Sequence, residues 1–312
     1  MIQRKNLNSL TIGEARDLFL VSQYNKGLSE ATIGMDKDAI NSFLKRSETS
    51  ELLQLSIISE EFIEGYISLL RNSNISLSTQ NINLSHLRAF LYWCMKMGYL
   101  EPFKIHLIKG QENKIKFFTD EEIDLLLKTP KKDCTFAESR TYAMICFIMS
   151  TGARASTIIN LRIEDLDFKR KTITFSHLKN KATAIIPMSN TIYKVLRDYL
   201  TEWDRGSSGY VFCTVNENKM TVNYLDHALY KYCESRGVKP RGPHSLRHSF
   251  ARMYIMKGGD AFSLQKILTH SSLDMTKRYV SLFSEDLRSS INTFSPLDNL
   301  KGYNCKTVRR IN

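Results

Sequence analysis

The sequence predicts a mainly α-helical protein of two domains, an N-terminal helical bundle followed by a larger α+β domain with a small antiparallel sheet. Three observations carry this expectation. The chain has 312 residues, about twice the length of an ordinary single domain. Apolar residues recur at helical spacing through most of it, and one stretch, between Lys171 and Ile186, has the alternating β-branched character of strands. The polar segment Lys109 to Lys116 (KGQENKIK) breaks the apolar pattern and suits a linker.

In chain order, helices are predicted near 11–25, 29–46, 60–72 and 78–97, enough for a small bundle. Ser29 precedes a segment, Glu30 to Arg46, with apolar residues at Ile33, Ile40 and Phe43. Ser78 precedes a longer helix ending at Met97, with Gly98 as its stop. Ile82, Leu84, Leu87, Phe90, Leu91 and Cys94 mark its buried stripe and leave Arg88 and Lys96 outside. Domains are accordingly expected at 1–108 and 118–293, with a linker at 109–117 and a tail at 294–312.

The second domain opens at Thr119-Asp-Glu-Glu122, a capping-box pattern that starts a helix through Leu127. An apolar helix over 139–150 is stopped by Gly152. Lys171 to Phe175 and Ala184 to Ile186, the latter ended by Pro187, form a predicted hairpin around a polar turn. Helices follow at 191–203, 221–235 (stopped by Gly237), 244–257, 262–269, 275–281 and 284–292.

Composition narrows the function. With 42% hydrophobic and 24% charged residues and only 14 Gly and 6 Pro, the chain can bury a substantial core, which excludes a disordered or peptide-like protein. Lys and Arg number 44 against 32 Asp and Glu, a balance of +12, which favours a polyanionic partner, either nucleic acid or an anionic membrane surface. Residues 1–110 hold 12 basic and 11 acidic side chains and the rest 32 and 21, so the anion-handling surface is expected in the second domain. Cys94, Cys134, Cys146, Cys213, Cys233 and Cys305 form no C-x-x-C pair, an arrangement expected of reduced thiols in a cytoplasm rather than of disulfides or a zinc finger. The longest apolar run, Tyr142 to Met149, is too short to span a bilayer, and Met1 to Ser9 lacks the apolar core of a signal peptide. A soluble, cytoplasmic protein with no membrane partner is expected.

No P-loop, G-x-G-x-x-G, G-x-S-x-G or H-E-x-x-H motif is present. Glu164, Asp165 and Asp167 form a short acidic cluster whose preferred reading is turn and cap residues, not a metal site. His244-Ser-Leu-Arg247-His248 places His244 and Arg247 one turn apart just after Pro243. A helix N-terminus, an Arg fork and a titratable His together suit a phosphate.

Order and spacing sharpen this. Ser150-Thr-Gly-Ala-Arg154-Ala-Ser156, then Lys179 eight residues before Pro187, then His244-x-x-Arg247-His248, then Leu268-Thr-His270-Ser-Ser and Tyr279 form a series that resembles the tyrosine recombinase (phage integrase) family over 117–293. Gly27-Leu-Ser29-x-x-Thr32 and Leu87-Arg88-x-Phe90-x-x-Trp93 fit the looser pattern of its helical, SAM-like core-binding domain. The resemblance implies a site-specific recombinase or integrase that cuts and rejoins duplex DNA. In it Tyr279 attacks the scissile phosphate to form a 3′-phosphotyrosyl link, Arg154 and Arg247 grip the non-bridging oxygens, and Lys179 protonates the leaving 5′-oxygen. His244 takes the family's acid/base position beside the nucleophile, and His270 hydrogen-bonds the phosphate. No cofactor, metal or ATP is implied, since cationic side chains fill the role of an ion and the phosphotyrosyl link conserves the diester's energy. Arg88, Lys181, Arg241, His248 and Lys277 are expected to contact DNA.

The family's assembly implies two domains closing on DNA, a dimer on one recombination site and a homo-tetramer in the synapse, with the C-terminal segment packing on a neighbouring protomer; the alternative is a helix folded back in cis. A cytoplasmic, nucleoid-associated integrase of a mobile element or phage is the preferred role. The alternatives are a non-catalytic DNA-binding protein on the same scaffold, or a type IB topoisomerase or telomere resolvase with the same chemistry. Two departures stand out. Thr157 occupies the place of an acidic residue usual three positions after the first arginine, and Thr269 that of a glycine usual before the second histidine.

Overall fold

Side-chain hydroxyls open most of the helices. In the computed structural model, which describes residues 10–110, 115–176, 183–203, 209–269 and 279, the chain divides into two compact units, Met1–Lys114 and Ile115–Asn312. The first holds α1 (Ile12–Asn25), α2 (Glu30–Arg46), α3 (Glu60–Arg71) and α4 (Leu77–Lys96). Thr11 and Glu14 form a reciprocal capping box on α1, while Ser29, Ser59 and Ser76 accept from the backbone N–H three residues on. Because Ser76 and not Ser78 is the cap, α4 starts earlier than the spacing predicted.

Phe19, Phe43, Tyr66 and Phe90 form the centre of this unit, with Phe43 and Tyr66 edge to face at 4.9 Å between ring centroids. Leu84, Leu87, Phe90, Leu91 and Cys94 are buried as predicted, but Ile82 is 51% exposed. Two residues before Leu84 is about 200° around the helix, so Ile82 lies on the opposite face. Asp36, buried on α2, accepts a hydrogen bond from His86 Nδ1 of α4 at 2.6 Å.

The second unit holds α5 (Asp120–Leu126), α6 (Phe136–Thr151), α7 (Ala155–Asn160), β1 (Leu166–Asp167), β2 (Thr172–Phe175), β3 (Ala184–Pro187), α8 (Asn190–Glu202), α9 (Val222–Ser235), α10 (Pro243–Met256) and α11 (Ala261–Ile267). The fold is mostly helical with a small antiparallel sheet in the order β1-β2-β3. Ile173 pairs with Ile186 in the β2–β3 hairpin, whose tip at 177–182 lies outside the described residues. The helices predicted at 275–281 and 284–292 and the tail at 294–312 lie outside them too, except for Tyr279.

Two elements had no counterpart in the prediction. With two residues β1 cannot display alternation, and with six α7 is shorter than the window that reveals a 3.6-residue period. The acidic cluster does cap the turns here: Asp165 accepts from the Arg162 N–H at 2.8 Å, and Asp167 from the Arg170 N–H at 2.8 Å.

α6 is the central helix, packed against α8, α9 and α10. Its buried residues face several directions, as expected of a helix enclosed by others. Phe147 of α6 reaches Phe175 of β2 and Phe212, at 6.2 and 5.8 Å between centroids. Arg140, fully buried, donates to the Cys213 carbonyl at 2.7 Å between the rings of Phe136 and Tyr224. Ser249 of α10 ties that helix to the entrance of α5, since Phe118 N–H donates to its hydroxyl at 2.8 Å. The described cysteines are free, and burial raises the Cys94 thiol to about 12 and Cys146 to about 11, so both stay protonated. Among the described residues no helix is long and apolar enough to cross a membrane.

Candidate active site

The site is built where α6, α10 and α11 meet. α6 ends on Gly152, whose φ of 61° is left-handed and therefore suits glycine. Space there is equally restrictive, because a Cβ at this position would lie 2.5 Å from Leu268 Cδ2 and 2.6 Å from Phe250 Cδ1. Gly152→Ala is expected to lower the thermal midpoint through left-handed strain of about 1–2 kcal/mol and overpacking of about 1–3 kcal/mol. An unchanged melting curve would refute this account of the turn.

Beyond the turn, Arg154 stands at the N-cap of α7 and donates to the Thr269 hydroxyl at 2.9 Å, with longer contacts to the Thr269 carbonyl at 3.4 and 3.5 Å. Arg247 of α10 is 5% exposed and spans the gap between two helix ends, donating to the Gly152 carbonyl at 2.6 Å and the Leu268 carbonyl at 2.9 Å. Both guanidiniums thus meet at the end of α11. The acceptors named are backbone carbonyls and a hydroxyl, and these contacts orient the two guanidiniums.

α10 opens with Pro243, a residue favoured at a helix's first position. His244, Arg247 and His248 follow at i, i+3 and i+4 and share one face. Tyr279, 5% exposed, packs its ring with Phe250, Ala251, Leu264 and Leu268. Its hydroxyl lies 2.7 Å from His248 Nδ1, with the two ring centroids 5.7 Å apart.

Burial shifts the site's titrations. Arg247 is lowered to about 10 by desolvation and then by the nearby Arg154 charge, with Tyr279 opposing, and it remains a cation at neutral pH. Arg154 is lowered by desolvation, again opposed by Tyr279. His244, accessible at the start of α10, is held below the usual imidazole value by partial desolvation and Arg247, against a smaller opposing effect of Asp226. His248 is lowered to about 4 by desolvation, His244 and Arg247. At neutral pH the described site therefore pairs two guanidinium cations with neutral imidazoles.

Not every predicted residue is in this group. Lys179, Lys181, His270 and Lys277 lie outside the described residues. Arg241, predicted to contact DNA, is engaged within the protein, paired with Glu122 at 2.7 Å and stacked 4.8 Å from the Phe118 ring centroid. His248, likewise predicted to contact DNA, has its Nδ1 at the Tyr279 hydroxyl. Arg88 belongs to α4 of the first unit, half-buried near residues 105–109.

The two departures from the family pattern are both structural participants. Thr157 is buried and its backbone N–H donates to the Arg154 carbonyl at 2.9 Å. Thr269 has a φ of 51°, a conformation that explains why glycine suits the position, and its hydroxyl is the nearest acceptor of Arg154. Sequence reasoning missed Thr269 as a partner of Arg154 and the contact of His248 with Tyr279. The four-residue step from His244 to His248 was the signal that both face the same way.

The model of the phage integrase family matches residues 116–285. A tyrosine recombinase of Pseudothermotoga lettingae is 26% identical over 246 residues, 77% of this chain and 84% of the relative. The tyrosine recombinase XerC of Staphylococcus aureus is 26% identical over 287 residues, 88% of this chain and 93% of its own. Among solved structures, the Tn1549 transposon integrase in complex with a circular intermediate DNA superposes with a TM-score of 0.71 at 20% identity, covering 90% of this chain and 100% of that one. A lambda integrase dimer bound to a core site gives 0.70 at 16% identity, covering 88% and 78%. These two establish likeness of fold. The family match spans more than half of the chain and includes Arg154, His244, Arg247 and Tyr279, and the chain therefore belongs to the phage integrase family and is a site-specific tyrosine recombinase.

Proposed function

We propose that the protein cuts and rejoins duplex DNA at a specific recombination site through a 3′-phosphotyrosyl intermediate, with Tyr279 as the nucleophile. The observation that carries this reading is the convergence of the Tyr279 hydroxyl, held at His248, with Arg247 on the same helix and Arg154 beside it. In the step, the Tyr279 oxygen bonds to phosphorus and the bond to the 5′-oxygen breaks. Arg154 and Arg247 stabilise charge on the non-bridging oxygens, Lys179 gives the 5′-oxygen its proton, and His270 hydrogen-bonds the phosphate. His244 occupies the family's acid/base position. Lys181, Lys277 and Arg88 contact the DNA backbone.

Two guanidiniums supply the charge that a metal ion would otherwise bring, and the phosphotyrosyl bond conserves the energy for rejoining, so neither metal nor ATP takes part. The partner is double-stranded DNA. The structures on DNA noted above support this, as does that of the XerH recombinase bound to its difH substrate. A dimer on each site and a tetramer in the synapse, joined through the C-terminal segment, is the assembly proposed, in the cytoplasm on the nucleoid.

A nicked suicide substrate, carrying the site mapped by footprinting DNA around the gene, tests the reading. Loss of the short 5′-fragment should trap an SDS-resistant adduct in the presence of EDTA and without ATP, and digestion should leave DNA on the peptide holding Tyr279. Absence of the adduct, or its dependence on added metal, would refute the mechanism.

A further inference from the structure

We infer that His248 is a further catalytic residue, whose Nδ1 takes the proton of the Tyr279 hydroxyl as that oxygen attacks the phosphate and returns it when the strand is rejoined. The inference rests on the recombinase reading above and moves the proton-accepting role one turn along α10 from His244, where the family resemblance puts it.

Geometry carries the argument. The hydroxyl oxygen is 2.7 Å from His248 Nδ1, within direct transfer distance. The contact is held from both sides: His248 is fixed on α10 one residue after the doubly anchored Arg247, and the Tyr279 ring is buried among Phe250, Ala251, Leu264 and Leu268. A cation for DNA contact would gain little here, since the imidazole is half-buried and close to His244 and Arg247. Those neighbours and its burial keep it neutral well below neutral pH. With its proton on Nε2, the ring presents the Nδ1 lone pair to the phenol.

A base is needed because a phenol with a pKa of about 10 is ionised only to about one part in a thousand at neutral pH. The step balances. As the Tyr279 O–P bond forms, the phenolic proton passes to His248 Nδ1, the P–O5′ bond breaks, and the 5′-oxygen takes a proton from Lys179. In rejoining, a 5′-hydroxyl gives its proton back to Lys179 and attacks phosphorus, the P–O bond to Tyr279 breaks, and His248 returns the proton to the departing phenolate.

Single-turnover cleavage of the suicide substrate by the full-length protein tests this. His248→Gln should keep a hydrogen-bonding group beside the phenol yet slow adduct formation about 10²-fold, the lower range for a lost general base, with DNA affinity unchanged. The deficit should shrink as the pH is raised toward about 10, where the phenol ionises by itself. A 5′-bridging phosphorothiolate, whose sulfur leaves without a proton, should restore Lys179→Ala but leave His248→Gln slow. Wild-type rates in His248→Gln, or its rescue by the sulfur substrate, would overturn the inference. A second measurement does not depend on that variant's fold: in the ¹⁵N-histidine-labelled wild type, His248 should be neutral at neutral pH, and its Nδ1 resonance should move on Tyr279→Phe. A doubly protonated or unmoved His248 would also overturn it. Failure of the wild type to form any adduct would count instead against the recombinase reading.

Discussion

Tyr279→Phe is expected to form no covalent adduct with DNA while keeping its fold and its DNA affinity. The substitution removes one oxygen, and phenylalanine fills the same space among Phe250, Ala251, Leu264 and Leu268. Among the described contacts the hydrogen bond to His248 Nδ1 is lost, typically about 0.5–1.5 kcal/mol, and the thermal midpoint should fall by a few degrees. Denaturing gels of the trapped substrate measure the adduct, and gel shifts at fixed salt measure binding. An adduct that survives in Tyr279→Phe would mean another side chain is the nucleophile.

Arg247→Ala combines two effects of different kinds. As a donor to the charge that develops on the non-bridging oxygens in the proposed reaction, Arg247 should contribute about 10²–10³ in rate. It is also a structural cross-link, because its fork joins the Gly152 carbonyl at the end of α6 to the Leu268 carbonyl at the end of α11. Alanine leaves two buried acceptors without this donor, a loss of about 1–3 kcal/mol for each that stays unsatisfied. Arg247→Ala should therefore lose both cleavage and thermal stability. Arg247→Lys should keep the charge but cannot span both carbonyls with one ammonium, and so should recover cleavage only in part. By contrast Arg154, partly accessible and bonded mainly to the Thr269 side chain, should on change to Ala lose cleavage with a much smaller shift in melting. If Arg247→Ala melts like the wild type, the cross-link does not stabilise the fold as argued.

The positive charge of the chain bears on the same experiments. The uneven distribution, 32 basic and 21 acidic side chains beyond residue 110, places the excess in the unit that holds Arg154 and Arg247. Arg241 shows why a count overstates the cations free for DNA, since its guanidinium is already paired with Glu122 at 2.7 Å.

What the sequence determined by itself is local. A hydroxyl three residues ahead of a free N–H marks a helix start, as Thr119 and Ser29 do; Gly152 marks a left-handed stop; a β-branched alternation marks β2 and β3. Each signal acts within about one turn or one strand pair, so it survives in a one-dimensional reading. The order of Arg154, His244, Arg247 and Tyr279 was legible for a related reason, since a series of chemical types at set spacing needs no coordinates to be seen.

Tertiary structure alone decided which of these groups touch. Tyr279 meets His248 across 31 residues, Arg154 meets Thr269 across 115, and Arg241 meets Glu122 across 119. No periodicity records such pairings, because they follow from how α5, α6, α10 and α11 pack. That packing half-buries His248, which lowers its pKa, and brings its Nδ1 to the Tyr279 hydroxyl. It also sets Thr269 in a left-handed conformation with its hydroxyl on Arg154. Side-chain identity thus set the chemistry available, and desolvation and contact between distant segments set which groups meet.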